Sequence, residues 1–353
     1  MLKNKVNAGG PFARRPDNTA FKQQKLPAWS PSLTAQTVLP FFYLIGLLCV
    51  LMGIWLYLTV TATQEMKIDY TDIDNCSACY ELRKDSHNST KECQCTVHFT
   101  LTEGFKGDVF IYYGLINFHQ NLRRYMDSRS DAQLVGRKSQ LKTTQDTCAP
   151  FDKTSDNIPI APCGAIANSI FNDSFEVFFH PAGGMEMAVS VSKTDLTWYT
   201  DKNVKFKNPG PTNETLSEIF SGTAQPIYWR KPVYMLDPYE RSNNGFVNED
   251  FIVWMREAAF PNFKKLYGRL NHTPEFSNGL PPGNYSIQIS YNFPVQYFQG
   301  KKLVILSTVS WFGGHNMFLP IAYIVSGGII IIAAMILTGF YFKVGKHNLD
   351  LED

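Results

Sequence analysis

At 353 residues the chain is long enough for one large domain or two ordinary ones. A formal net charge of +2 gives no sign of a nucleic-acid partner or of an acidic tail. Aromatic residues at 14%, with 20 prolines and 24 glycines, point to a loop-rich, β-leaning fold.

In chain order, segment 1–37 is basic: Lys3, Lys5, Arg14, Arg15, Lys22 and Lys25 stand against Asp17. "RRPDNTAFKQQKLPAWSP" is too rich in Pro, Asn and Gln for a convincing helix. Phe21, Leu26, Pro27 and Trp29 read as a docking peptide or an interfacial belt, and the belt alone would explain Trp29. No Asp, Glu, Lys or Arg occurs from Leu26 to Gln64. Within that window, "VLPFFYLIGLLCVLMGIWLYLTV" (38–60) would span roughly 35 Å as a helix, enough to cross a bilayer. It starts too far into the chain and is too long for a cleaved leader, and no small-x-small site follows it. A second charge-free window runs from Leu303 to Phe342 and contains the span 318–342. The basic N-terminal flank places that end in the cytosol. Two crossings return segment 343–353 to the same side, and residues 61–317 then lie in the lumen or outside the cell.

The intervening region agrees with an outside location. Asparagine sequons begin at Asn75, Asn88, Asn172, Asn213, Asn271 and Asn284, all between the two spans. Asn75 is the poorest acceptor, because its middle residue is Cys76. Six of the seven cysteines (76, 79, 93, 95, 148 and 163) share this region, and Cys49 lies in the first span. An even number in an oxidising compartment reads as disulfides, over a four-thiolate zinc site or a CxxC redox pair. Six cysteines permit fifteen pairings. Proximity suggests that the first four pair among themselves and Cys148 with Cys163. The competing reading makes Cys163 a nucleophile, with His180 or His119 as its base, but neither histidine sits in a catalytic frame.

Between the spans, "YSIQISYNF" (285–293) alternates with period two: Tyr285, Ile287, Ile289, Tyr291 and Phe293 face one way. "TVHFTL" (96–101) and "DVFIYY" (108–113) read as a hairpin, and "SFEVFF" (174–179) and "KLVILSTVSW" (302–311) as further strands. In "NEDFIVWMREAAF", Asn248 is a plausible N-cap, and Phe251, Trp254, Met255, Ala258 and Ala259 form one apolar stripe. A weaker helix is expected over 114–126. The fold class is therefore two transmembrane helices flanking a large, mainly antiparallel β-sandwich with a few helices. Asp152-Lys153-Thr154 matches part of the phosphorylation motif of P-type ATPases, but Ser155 and Asp156 break it. With no Walker loop and no HExxH, the sequence offers no active site, metal site or cofactor. Small residues recur at helical spacing in the spans: Gly46, Cys49 and Gly53 in the first, Ala322 and Ser326 in the second. They serve either packing of one span on the other or a groove for a partner's helix.

Four blocks carry a family resemblance: "PDNTAFKQQKLPAW" (16–29), "IAPCGAIANSIFNDSF" (160–175), "NNGFVNEDFIVWM" (243–255) and "SWFGGHNMFLPIAY" (310–323). The chain resembles the cell-division-control-protein-fifty or Lem-three family, also called transmembrane protein thirty. The resemblance implies a non-catalytic β-subunit bound to a type IV P-type ATPase that moves aminophospholipids from the exoplasmic to the cytosolic leaflet. It implies support for that partner's folding, its exit from the endoplasmic reticulum and its activity, along the secretory route through the Golgi and vesicles to the plasma membrane. Carried onto this chain, the family's disulfides are Cys76–Cys95, Cys79–Cys93 and Cys148–Cys163, and its commoner glycan sites are Asn172 and Asn284. Asn88, Asn213 and Asn271 are further glycan candidates. The partner-interface candidates are Asn18, Phe21, Leu26 and Trp29 in the tail, with Gly46 and Gly53 in the first span. His315 and Met317 depart from the Lys and Pro of relatives, which bears on partner choice. The alternative function is a two-span ligand-gated channel subunit, with Ser326-Gly327-Gly328 lining a pore.

Overall fold

The computed structural model describes residues 19–27, 34–85, 88, 91–210 and 214–349. The chain forms two compact units: Met1–Leu56 with Phe318–Asp353, and Tyr57–Met317.

The first unit is built on two long helices, Ala35–Thr61 and Phe318–Leu349, the former continuing past Leu56 into the second unit. Each is long and apolar enough to cross a membrane. Their apolar residues are not confined to one stripe. Phe41, Leu44, Leu48 and Leu58 are exposed on one helix, and Ile329, Ile332, Ile336 and Phe340 on the other. A helix apolar all round is stable only in an apolar medium or core, which suits an integral membrane protein.

The second unit holds eleven strands among its described residues: β1 (Glu65–Asp69), β2 (Gln94–Leu101), β3 (Phe105–Lys106), β4 (Val109–Ile116), β5 (Ser174–His180), β6 (Met187–Val189), β7 (Val191–Ser192), β8 (Phe263–Leu270), β9 (Gly279–Leu280), β10 (Gly283–Ser290) and β11 (Lys301–Thr308). They form a five-stranded sheet ordered β1-β11-β4-β8-β7, a four-stranded sheet ordered β2-β10-β5-β6, and the small pair β3-β9. All these pairings are antiparallel. In β10, Ile287 lies opposite Val97 on one side and Val177 on the other, and all three are buried. The two large sheets meet where the Phe175 ring of β5 packs 4.7 Å from that of Tyr267 in β8. The Tyr267 hydroxyl there accepts the Phe175 N–H at 2.8 Å. The architecture is a disulfide-bonded antiparallel β-sandwich.

The alternating face of β10 is as expected: Tyr285, Ile287, Ile289, Tyr291 and Phe293 are all buried, although the strand itself ends at Ser290. Ser286 is buried too, its hydroxyl 2.8 Å from His180 Nε2. Three local expectations change. Segments 96–101 and 108–113 are strands but not a hairpin, because β2 and β4 belong to different sheets. Residues 102–108 carry the chain across, with β3 pinned to β9 and Gly107 turning at a φ of 80°. The helix expected over 114–126 shrinks to Arg123–Met126, since Gly114 to Ile116 complete β4. The helix after Asn248 runs only from Glu249 to Met255. Lys265 Nζ donates to the carbonyls of Val253 (3.2 Å), Trp254 (2.6 Å) and Arg256 (2.7 Å). A cation on the last carbonyls of a helix stabilises its end, and Ala258 and Ala259 lie beyond it.

Candidate functional site

Side chains that could bind a partner, a glycan or a lipid are spread over both units. In the helical unit the small residues of the first helix meet the second. A Cβ placed on Gly46 would lie 2.6 Å from Ile331 Cγ1 and 3.2 Å from the Gly327 carbonyl oxygen. On Gly53 it would lie 2.6 Å from Ile324 Cγ1 and 3.1 Å from the Pro320 carbonyl oxygen. The backbones therefore approach as closely as they do because both positions lack a side chain. Tyr43 and Thr338 hydroxyls meet at 3.1 Å, and Gln36 Nε2 donates to the Tyr341 hydroxyl at 3.0 Å. Gly46 and Gly53, expected as partner-interface candidates, pack against the second helix of the same chain. On the second helix the small residue at the seam is Gly327, against Gly46 and Val50, not Ser326, which is exposed. Adjacent positions on a helix point about 100° apart, so one residue's difference changes the face.

Of the tail residues, Phe21 is 76% exposed inside a turn in which Lys25 N–H donates to the Ala20 carbonyl at 2.7 Å, and Leu26, just after it, is 55% exposed. Asn18 and Trp29 lie outside the described residues.

In the sheet unit the cysteines are joined as Cys76–Cys95, Cys79–Cys93 and Cys148–Cys163, with Cα–Cα distances of 5.0, 5.6 and 5.7 Å. The first two pin the short helix Ser77–Leu82 to the start of β2. Just beyond that helix, buried Arg83 donates to the carbonyls of Tyr291, Asn88 and Lys91. One guanidinium so ties this corner to the end of β10. The Cys163 sulfur is engaged with Cys148, and its N–H donates to Gln133 Oε1 at 3.1 Å. Cys49 is free and half-buried.

The sequon asparagines fall in unequal settings. Asn75, Asn271 and Asn284 are exposed, and Asn88 and Asn172 are half-buried. Asn284 Oδ1 accepts the Thr100 hydroxyl at 2.8 Å, whereas Asn271 Nδ2 donates to Ser190 Oγ at 2.8 Å. Asn172 lines a cleft of about 710 Å³ that Lys193, Arg230, Asp237 and Tyr239 also border, and its Oδ1 is buried without a partner among the described residues. Asn213 lies outside the described residues.

Sequence reasoning missed a buried charge cluster. Lys302, in β11, is fully buried, with Nζ donating to Asp173 Oδ2 at 2.6 Å and to the Phe293 carbonyl at 2.8 Å. The Tyr70 hydroxyl donates to the same Asp173 oxygen at 2.8 Å, and the N–H groups of Asn292 and Phe293 reach Oδ1 at 2.5 and 2.6 Å. Lys302 Nζ also stands 3.1 Å from the centre of the Tyr291 ring. Burial pulls the Lys302 pKa down to about 8 despite the attraction of Asp173, and burial first, then Asp173, pushes Tyr70 well up. The signal was legible: Lys302 shares a strand face with Val304 and Leu306, so alternation points it inward. Every polar group in the cluster is occupied holding two sheets together, which is structural work. Among the described residues no three His, Cys, Asp or Glu side chains group as a metal site.

Comparison with known proteins agrees with this picture. The family model described as LEM3 (ligand-effect modulator 3) family / CDC50 family matches residues 56–347. The chain is 49% identical to Cell cycle control protein 50C of Bos taurus over 337 residues, 95% of this chain and 96% of that one. It is 50% identical to Cell cycle control protein 50A of Mus musculus over 331 residues, 93% and 90% of the two chains. A plant protein, ALA-interacting subunit 3 of Arabidopsis thaliana, is 33% identical over 333 residues, 93% and 87% of the two. With the match running from the end of the first long helix through the sandwich and into the second, the chain belongs to the LEM3/CDC50 family.

Proposed function

We propose that the chain is the non-catalytic β-subunit of a type IV P-type ATPase flippase, forming a heterodimer with the catalytic subunit. It assists that partner's folding, its exit from the endoplasmic reticulum and its transport of aminophospholipids to the cytosolic leaflet. Membership of the LEM3/CDC50 family across residues 56–347 carries this reading. The plant relative's name, ALA-interacting subunit 3, is that of an interacting subunit, and the chain is an accessory subunit rather than an enzyme.

The remaining assignments follow from that role. Residues 1–37 and 343–353 are cytosolic tails, 38–60 and 318–342 cross the bilayer, and 61–317 face the lumen or the exterior. Three disulfides in the sheet unit suit an oxidising compartment, and the basic flank suits a cytosolic N-terminus. The protein then resides along the endoplasmic reticulum, Golgi, vesicles and plasma membrane, with glycans at Asn172 and Asn284 and further acceptors at Asn88, Asn213 and Asn271. Exposed Phe21 and Leu26, with Asn18 and Trp29 close by in sequence, form the cytosolic docking peptide. A channel reading gains nothing from Gly327, which packs on Gly46 and Val50 of its own chain.

The deciding experiment is a mild-detergent pull-down of the tagged chain, with co-purifying proteins identified by mass spectrometry. A near-stoichiometric P-type ATPase is expected. A clean homo-oligomer without one would discard the subunit reading.

A further inference from the structure

Within the sheet unit, next to the residues that lead out of one long helix and into the other, is a hollow of about 390 Å³. Thr63, Glu65, Lys67 and His315 line it. Along the chain, Lys67 follows Thr61, the last residue of the first helix, by a stretch that spans at most roughly 20 Å when extended. His315 precedes Phe318, the first residue of the second helix, by less. The hollow is therefore joined to both helix ends by short stretches of chain.

Its electrostatics are asymmetric. The Glu65 side chain is buried and held by two ammonium groups, Lys67 Nζ at 2.9 Å and Lys264 Nζ. Burial opposes its ionisation, but hydrogen bonds from Lys264 and Lys67 outweigh that and keep its pKa below the ordinary carboxylate value. Two cations, Lys67 and Lys264, thus stand against the single anion Glu65. The Lys67 side chain is 58% exposed and free to move into solvent, so its ammonium can turn to another anion while Lys264 keeps Glu65 satisfied. His315 Nδ1 is buried with no hydrogen-bond partner among the described residues. A buried ring nitrogen of this kind calls for a ligand atom or a water. Nearby in the chain, Ser310 and Gly313 close a turn through reciprocal backbone hydrogen bonds of 2.8 and 2.9 Å, and at its tip Trp311 is 68% exposed. Exposed tryptophan beside a membrane helix is typical of the headgroup layer.

We infer that this hollow binds the phosphate of an anionic phospholipid headgroup, with Lys67 and His315 as donors. The inference rests on the reading that the two helices cross a bilayer, which would deliver a lipid to the hollow. With Lys264 engaged by Glu65, the Lys67 ammonium that lines the hollow favours a headgroup of net negative charge over one that is net neutral.

Native mass spectrometry of the detergent-purified full chain tests this with short-chain phosphatidylserine titrated against the matching phosphatidylcholine. The serine lipid should stay bound at concentrations where the choline lipid does not. Lys67→Gln and His315→Leu should each lower its affinity about tenfold, the size of one lost charge-assisted hydrogen bond. Lys106→Gln, an exposed lysine on β3, should leave it unchanged. Equal binding of the two lipids, or unchanged affinity in the exposed Lys67→Gln variant, would overturn the inference. Displacement of the lipid by equimolar inorganic phosphate would overturn it in favour of a free-anion site. Alkaline extraction separates the two levels: a chain released from membranes refutes the bilayer reading itself, whereas an extraction-resistant chain that binds no lipid refutes only the headgroup site.

Discussion

Asp173 is the centre of one buried polar knot: Tyr70, Lys302 and two backbone N–H groups all donate to it. Removing one partner of a buried ion pair strands the other charge, so Asp173→Ala should cost about 3–5 kcal/mol. Chemical denaturation checks this, and a loss below about 1 kcal/mol would mean that Lys302 is not stranded but neutral or hydrated. The substitution keeps Asn172 and Ser174, so the sequon survives and glycosylation does not confound the result. Glu249 makes a second such knot, accepting from the N–H groups of Asp195, Leu196 and Thr197 and from Lys202 Nζ. Burial raises its pKa, but these hydrogen bonds outweigh it and hold the folded value below 4.5. The unfolded chain therefore takes up the proton first as pH falls. The carboxylate's stabilisation is complete above 4.5 and disappears as pH drops through the lower folded value. Glu249→Gln should cost about 2 kcal/mol near neutrality and flatten the acid limb of the stability curve. An unchanged acid limb would assign acid sensitivity to other carboxylates. Asn248 as helix cap was legible because capping is local, and its Oδ1 accepts the Phe251 N–H at 2.9 Å. The partners of Glu249 were not, because they come from a loop about fifty positions earlier.

At the scale of elements, the two long helices test how closely backbones can approach. Gly46→Leu would force a side chain against Ile331 and should push the helices apart, at about 1–3 kcal/mol for overpacking. Cysteines at positions 36 and 341, where the long side chains of Gln36 and Tyr341 meet end to end, report the separation by crosslinking with a short bifunctional maleimide. Crosslinking should fall in Gly46→Leu and persist in Gly328→Leu, since nothing lies within 4 Å of a Cβ at Gly328. Equal crosslinking in both would place the seam elsewhere. The apolar windows announced these helices because length and absence of charge are properties of a single segment. The seam was harder to read: Ser326 and Gly327 are both small, and only docking chooses between them. Strands behave alike. The alternation of Tyr285, Ile287 and Ile289 is local and was legible, while the sheet joined by β2 or β4 depends on pairing with β10 and β11, far along the chain.

For the whole molecule, disulfides link local folding to passage through the cell. The Cys148–Cys163 bridge closes a loop with a sequence separation of 15 around buried Ile160. Such a closure is worth about 3 kcal/mol in the chain-entropy model. Cys148→Ser should leave the chain in the endoplasmic reticulum with glycans sensitive to endoglycosidase H, and any partner with it. Normal arrival at the cell surface would show the bridge to be dispensable. By itself the sequence determined what depends on neighbouring residues: two membrane-length apolar segments, a disulfide-bonded region of strands between them, and blocks diagnostic of a family. Only the tertiary structure decided which sheet each strand joins, that Gly46 and Gly53 serve the chain's own second helix, and that Lys302 is buried against Asp173. Those outcomes turn on contacts between residues far apart in sequence, where packing and the cost of burying unpaired charge select one arrangement among many that local pattern allows.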